Sequence, residues 1–103
     1  MFKKNTYITR GIQNSLDLEI IASLWQKVQL CSRKLDYLQI FELENSGTNE
    51  MPILKIKWKQ EIPKHSEVFF LPGQKTEVEK VWIICSGEGT DDEYSTMLLP
   101  EEY

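Results

Sequence analysis

Apolar residues recur at helical spacing over one stretch of this chain, and strand-like patterns dominate everything after it. At about 100° per residue, Ile20, Ile21, Leu24, Trp25, Val28 and Cys31 fall in one broad stripe. Glu19, Gln26 and Lys27 lie on the other side. Asn14 and Ser15 are plausible N-caps, Asp17 and Glu19 suit the first turn, and Lys27, Arg33 and Lys34 suit the last, as a helix dipole favours. The spacing predicts one amphipathic helix over about residues 17–33.

The remaining segments carry strand signals. Tyr7 to Arg10 is β-prone and ends at Gly11, so a short first strand is expected there. Tyr37 to Leu43 is apolar on both parities, as in a strand covered on two faces. Leu54, Ile56, Trp58 and Ile62 alternate with Lys55, Lys57, Lys59 and Glu61, which puts one face in the core and the other in water. Ser66 to Leu71 reads as a short strand or one helical turn, Val78 to Cys85 as a strand, and Tyr94 to Leu99 as a final strand. Asn45 to Asn49, Pro72-Gly73 and Gly87 to Thr90 are turns by composition.

One early helix followed by a run of strands implies the α+β class, with a mainly antiparallel sheet of about four to five strands packed on that helix. A length of 103 residues leaves room for one domain, spanning 1–103. A single helix covers one face of a sheet. The double-sided strands therefore need loops, the carboxyl-terminal segment or a second subunit on the other face, and that motivates a dimer.

Composition bounds function more weakly. The hydrophobic fraction of 41% and charged fraction of 27% are those of an ordinary globular chain. Met1-Phe2-Lys3-Lys4 is followed by polar Asn5 and Thr6, not by an apolar signal core, so the cytoplasm is the expected location. Cys31 and Cys85 lack the close spacing of zinc or redox motifs and read as small hydrophobes. The net charge of −4 is uneven: residues 1–34 sum to +4 and residues 65–103 to −7. Such asymmetry can steer a partner.

No catalytic set is legible. His65 is the one histidine, in an apparent loop with no nucleophile motif nearby. Asp91, Asp92 and Glu93 are adjacent, whereas a calcium loop alternates its ligands. Gly87-Glu88-Gly89 lacks the third glycine of a dinucleotide turn and is acidic where phosphate would sit. Lys55, Lys57 and Lys59 share one strand face, which suits either a guard against edge-to-edge pairing or a single-stranded nucleic-acid backbone. A pI of about 5.0 favours the guard.

Several blocks together resemble a known family: Tyr7-Ile8-Thr9-Arg10-Gly11, Leu24-Trp25, Asp36 to Leu43, Gln60-Glu61-Ile62-Pro63, and above all Tyr94-Ser95-Thr96-Met97-Leu98-Leu99-Pro100-Glu101-Glu102-Tyr103. They are similar to the domain of unknown function numbered nine-sixty, from Gram-positive bacteria and their phages. That resemblance implies a bacterial or prophage-encoded cytoplasmic protein, and it brings no activity, cofactor or catalytic residue. It also draws attention to Arg10 as a partner anchor and to Tyr94 beside the acidic loop.

The resulting expectation is a non-enzymatic protein-interaction module, self-association included. Its candidate contacts are Arg10, Lys55, Lys57, Lys59, Asp91, Asp92, Glu93 and Tyr94, with no cofactor, no metal and no membrane. Single-stranded nucleic-acid binding through the lysine face is the alternative. A small enzyme or metal-binding protein comes third.

Overall fold

The computed structural model describes residues 1–103 as a sheet of six strands with two helices against one face. In chain order these are β1 (Thr6–Ile8), α1 (Arg10–Ser15), α2 (Leu18–Gln29), β2 (Leu38–Asn45), β3 (Ile53–Gln60), β4 (His65–Pro72), β5 (Lys80–Ser86) and β6 (Tyr94–Leu98). A short 3-10 turn, Pro100–Glu102, follows. The spatial order is β1-β6-β5-β2-β3-β4.

Four of the neighbouring pairs are antiparallel, and β1 with β6 is parallel. The expected sheet, mainly antiparallel and of about four to five strands, is thus found with six strands and one parallel pair. The added strand is β4, where the sequence left strand and helical turn open, and the parallel pair arises from one contact, Thr6–Ile8 beside Ser95–Met97, between segments at opposite ends of the chain. Local pattern carries no trace of such a pairing.

Alternation decides which side of the sheet meets the helices. Phe41 and Leu43 of β2, Leu54, Ile56 and Trp58 of β3, and Val81, Ile83 and Cys85 of β5 are buried. Ile12 of α1 and Ile20, Ile21, Leu24, Trp25 and Val28 of α2 close over them in one cluster. A 12-residue helix is marginal in isolation, so this apolar stripe and not intrinsic propensity holds α2 in place. Burying each such side chain contributes roughly 1.5–3 kcal/mol.

Several expected boundaries move. The helix expected over residues 17–33 is α2, Leu18–Gln29; Cys31, Arg33 and Lys34 lie beyond its end. Asn14 and Ser15 do not cap it, because they belong to α1, and Asp17 takes the N-cap position. Arg10 opens α1 instead of ending a strand, with Thr9 as its N-cap. Six residues are too few to show a hydrophobic period, which hid α1 from the sequence. Ile62 is exposed in the turn after β3, and Gln60 takes the inward position. Ser66 to Leu71 is strand, inside β4. Phe2 is fully buried, with its carbonyl accepting from Gln29 Nε2 at 3.0 Å.

Candidate functional site

The face of the sheet opposite the helices has no second layer of secondary structure. Its side chains line up in rows set by the strand register. One row runs Tyr7–Thr96–Ile84–Leu38 across β1, β6, β5 and β2. The next runs Leu98–Trp82–Ile40–Lys59–Ser66. Beyond it lies Lys80–Glu42–Lys57–Val68, and then Glu44–Lys55–Phe70. The face therefore divides into an apolar and aromatic half over β1, β6, β5 and β2, and a half of mixed charge over β2 and β3.

Aromatic side chains dominate the apolar half. Tyr7 and Tyr94 meet edge to face with centroids 6.2 Å apart, and both are exposed. Trp82 is half-buried, and Tyr103 covers it edge-on at 5.7 Å. The Trp82 Nε1–H is shielded from solvent and has no acceptor. An orphaned donor of this kind costs about 1–3 kcal/mol. This answers the puzzle of the double-sided strands: Tyr103 covers part of the second face, and the rest stays open.

The charged half interleaves both signs. Lys59 Nζ lies 3.4 Å from Glu42 Oε1, and Lys57 and Lys80 flank the same Glu42 in the register. Lys55, Lys57 and Lys59 do share one face, and Trp58 points to the core as the alternation required. These lysines are not on an edge strand, however. The edge is β4, so the guard role expected for Lys55, Lys57 and Lys59 does not apply.

The remaining expected residues are scattered. Arg10 is exposed on α1, and Asp91 and Asp92 are exposed in the β5–β6 turn. Glu93 is buried, and its Oε1 accepts from Gly89 N at 3.3 Å. The bond holds a turn in which Gly89 adopts φ +79°, a backbone region that favours glycine. Glu93 is thus a turn-forming residue. Tyr94 is the one member of this group on the open face. No three His, Cys, Asp or Glu side chains gather as a metal site would need.

His65 sits elsewhere than expected. It opens β4, half-buried, with its ring edge-to-face on Trp58 at 5.7 Å. Arg33 Nη1 donates to His65 Nδ1 at 2.6 Å. A guanidinium has no acceptor, so Nδ1 is the bare nitrogen and Nε2 carries the proton. Cys31, Arg33, His65, Glu67 and Phe69 line a cavity of about 540 Å³ between α2 and β4. Sequence reasoning missed this groove because it joins the segment after α2 to a strand that begins about thirty residues later.

Behind His65 lies a buried amide network. Trp58 Nε1 donates to Gln39 Oε1 at 2.6 Å, and Gln39 Nε2 donates to Gln60 Oε1 at 2.9 Å. Gln60 Nε2 in turn donates to the carbonyls of Lys34 and Pro63. Every member is satisfied, which fixes where Arg33 and His65 enter the groove.

A second lock joins Thr9, Gly11 and Glu102. Thr9 Oγ1 and the Leu99 and Gly11 amides all donate to the Glu102 carboxylate. The Thr9 bond and then the Leu99 amide hold Glu102 below its usual acidity range; desolvation opposes them, and the Gly11 amide adds a smaller lowering. A Cβ on Gly11 would lie 2.6 Å from Glu102 Oε2. The two blocks Thr9-Arg10-Gly11 and Leu99-Pro100-Glu101-Glu102 are therefore one structural unit.

Comparison with known proteins agrees with this architecture. No curated protein matches the chain. A crystal structure of a protein of unknown function from Enterococcus faecalis superposes with a TM-score of 0.81 at 22% identity, covering 99% of this chain and 94% of that one. At that identity the likeness concerns the fold alone. The sequence profile of the family described as staphylococcal protein of unknown function (DUF960) matches residues 5–102. The match runs from just before β1 to the last residue of the 3-10 turn, and the chain belongs to this family.

Proposed function

We propose that this protein is a non-enzymatic interaction module whose open sheet face docks on a second copy of itself. The observation that carries the reading is Trp82. It stands among Ile84, Ile40 and Leu98 with an orphaned indole N–H, and Tyr103 packs edge-on against it. Aromatic residues in a desolvated centre are the usual anchors of protein interfaces. The adjoining half supports self-pairing, because Glu42 and Glu44 alternate with Lys55, Lys57, Lys59 and Lys80. A surface with both signs beside an apolar centre can meet its own copy with lysine facing glutamate, as a two-fold interface requires.

Cross-saturation between deuterated, 15N-labelled protein and unlabelled protein tests the reading. Transfer onto the β2, β5 and β6 amides is expected. Transfer confined to α1 and α2 would refute it.

One observation favours the nucleic-acid alternative. Exposed Phe70 stands opposite Lys55 in the register, on the same face as Lys57, Lys59 and Tyr94. An aromatic beside lysines is what base stacking with phosphate contact uses. Glu42 and Glu44 in the midst of those lysines weigh against it. Binding of labelled oligothymidylate that falls steeply with salt, and falls further in Lys57→Glu, would support this alternative over the first reading.

A further inference from the structure

We infer that the groove between α2 and β4 binds an extended acidic peptide, which adds to β4 as a seventh strand. The inference concerns an edge and a groove separate from the open face and does not rest on its pairing.

The first observation is the edge itself. β4 pairs with β3 over eight consecutive residues, His65 to Pro72, and nothing pairs with its other side. At the opposite edge β1 offers three residues. Long exposed edges are normally blunted by lysine, by an internal proline or by a bulge. β4 has no lysine, its register is unbroken and its one proline is the last residue; its single inward charge, Glu67, is neutralised by Lys27. Its unpaired backbone groups are a template for strand addition.

The second observation is the groove beside that edge. His65, Glu67, Phe69 and Leu71 alternate along β4 on the side facing α2 and line the 540 Å³ cavity. A strand laid along β4 would present every second side chain to this groove. Phe69 and Leu71 offer apolar contact at one end, and the charged groups stand at the other.

Charge selects the occupant. Lys27 Nζ is matched by Glu67 Oε2 at 2.9 Å and caps the Phe69 ring at 4.5 Å. Arg33 has no carboxylate within ion-pair distance, and its one side-chain partner is His65. The groove thus carries one uncompensated guanidinium, in a chain whose net charge is −4. A guanidinium beside an open edge suits a carboxylate, which it can bind with two parallel hydrogen bonds. The fitting ligand is an extended segment with an acidic side chain at the Arg33 end and an apolar one two or four residues away.

The test is selection from a phage-displayed random octapeptide library on the immobilised full chain. Fluorescence anisotropy and 15N spectra with one enriched peptide would follow. The expected result is a consensus with one carboxylate and apolar residues at alternating positions, and perturbed amides along β4. Arg33→Ala should weaken binding at least about tenfold, the loss of one charge-assisted contact. Arg33→Lys should recover part of it, and Lys4→Ala should leave it unchanged. Failure to enrich any sequence would overturn the inference. So would a consensus lacking an acid, affinity indifferent to Arg33→Ala, perturbations on the open face, or β4 paired with β4 of a second copy. Circular dichroism on each variant separates lost binding from lost folding.

Discussion

Thr9 Oγ1 donates a 2.6 Å hydrogen bond to Glu102 Oε1 and, with the Gly11 amide, ties the start of α1 to the turn that follows β6. The two residues are 93 positions apart in sequence, yet they close the parallel β1–β6 end of the sheet. The segment they anchor carries Tyr103 onto Trp82. The lock therefore bears on the open face as well as on the fold.

Its acidity gives a pH signature. Folding lowers the pKa of Glu102, so the folded state binds its proton less readily than the unfolded chain does. The resulting stabilisation is present above the ordinary glutamate range and is lost as pH falls through the lowered folded-state value. Thermal midpoints of wild type and Glu102→Gln measured across the acid range should differ most near neutrality and converge at low pH. A constant difference would show that the carboxylate charge is not the source.

Gly11→Ala should release the same lock by a different route. The added methyl would overlap the Glu102 carboxylate, which must swing away from Thr9 and the Gly11 amide. Helix propensity favours alanine by about 1 kcal/mol and would offset part of the loss. The decisive readout is the Glu102 side-chain titration by NMR, expected to return toward the ordinary range in Gly11→Ala.

Gln39 should be costly to remove although it is polar. It is fully buried and accepts from Trp58 Nε1 while donating to Gln60. Gln39→Ala leaves the Trp58 indole N–H unpaired, takes one of two donors from Gln60 Oε1 and opens a cavity, a combined loss of about 2–5 kcal/mol. Urea unfolding should show that loss as a lower midpoint with an unchanged slope.

Phe2 should behave as a core residue despite its place in the chain. It has no exposed surface and belongs to the same cluster as Leu24 and Ile56. Phe2→Ala is expected to cost about 3–5 kcal/mol, against a few tenths for the exposed neighbour Lys3→Ala. The same urea experiment measures both.

The parts of this structure that were legible in the sequence are those with a local period. The α2 stripe and the alternation that sends Trp58 inward and Lys57 outward follow from spacing, and the turns at Gly73 and Gly87 from local composition. The family resemblance, read from blocks at both ends of the chain, agrees with the profile match over residues 5–102. What stayed hidden depends on distant pairing. Tyr7 and Tyr94 become neighbours through the β1–β6 contact. Arg33 meets His65 when β4 folds back past the end of α2. Glu93 looked like one more solvated carboxylate until the β5–β6 turn curled it onto Gly89. Of the residues singled out from sequence, Lys55, Lys57, Lys59 and Tyr94 share the open face, whereas Trp82 and Ile84 passed as ordinary strand residues because burial on a second face leaves no mark of what covers it.

Sedimentation velocity over a concentration series, on wild type and Ile84→Glu, tests the open-face interface most directly. Ile84 sits between Leu38 and Thr96 in the register, so a glutamate there puts charge at the centre of the face while leaving the helix-side core intact. The expected result is a wild-type species of twice the 12.1 kDa chain mass at higher concentration, and a folded, monomeric Ile84→Glu. A wild type that stays at one chain mass throughout, or a dimer that Ile84→Glu leaves intact, would contradict the proposal.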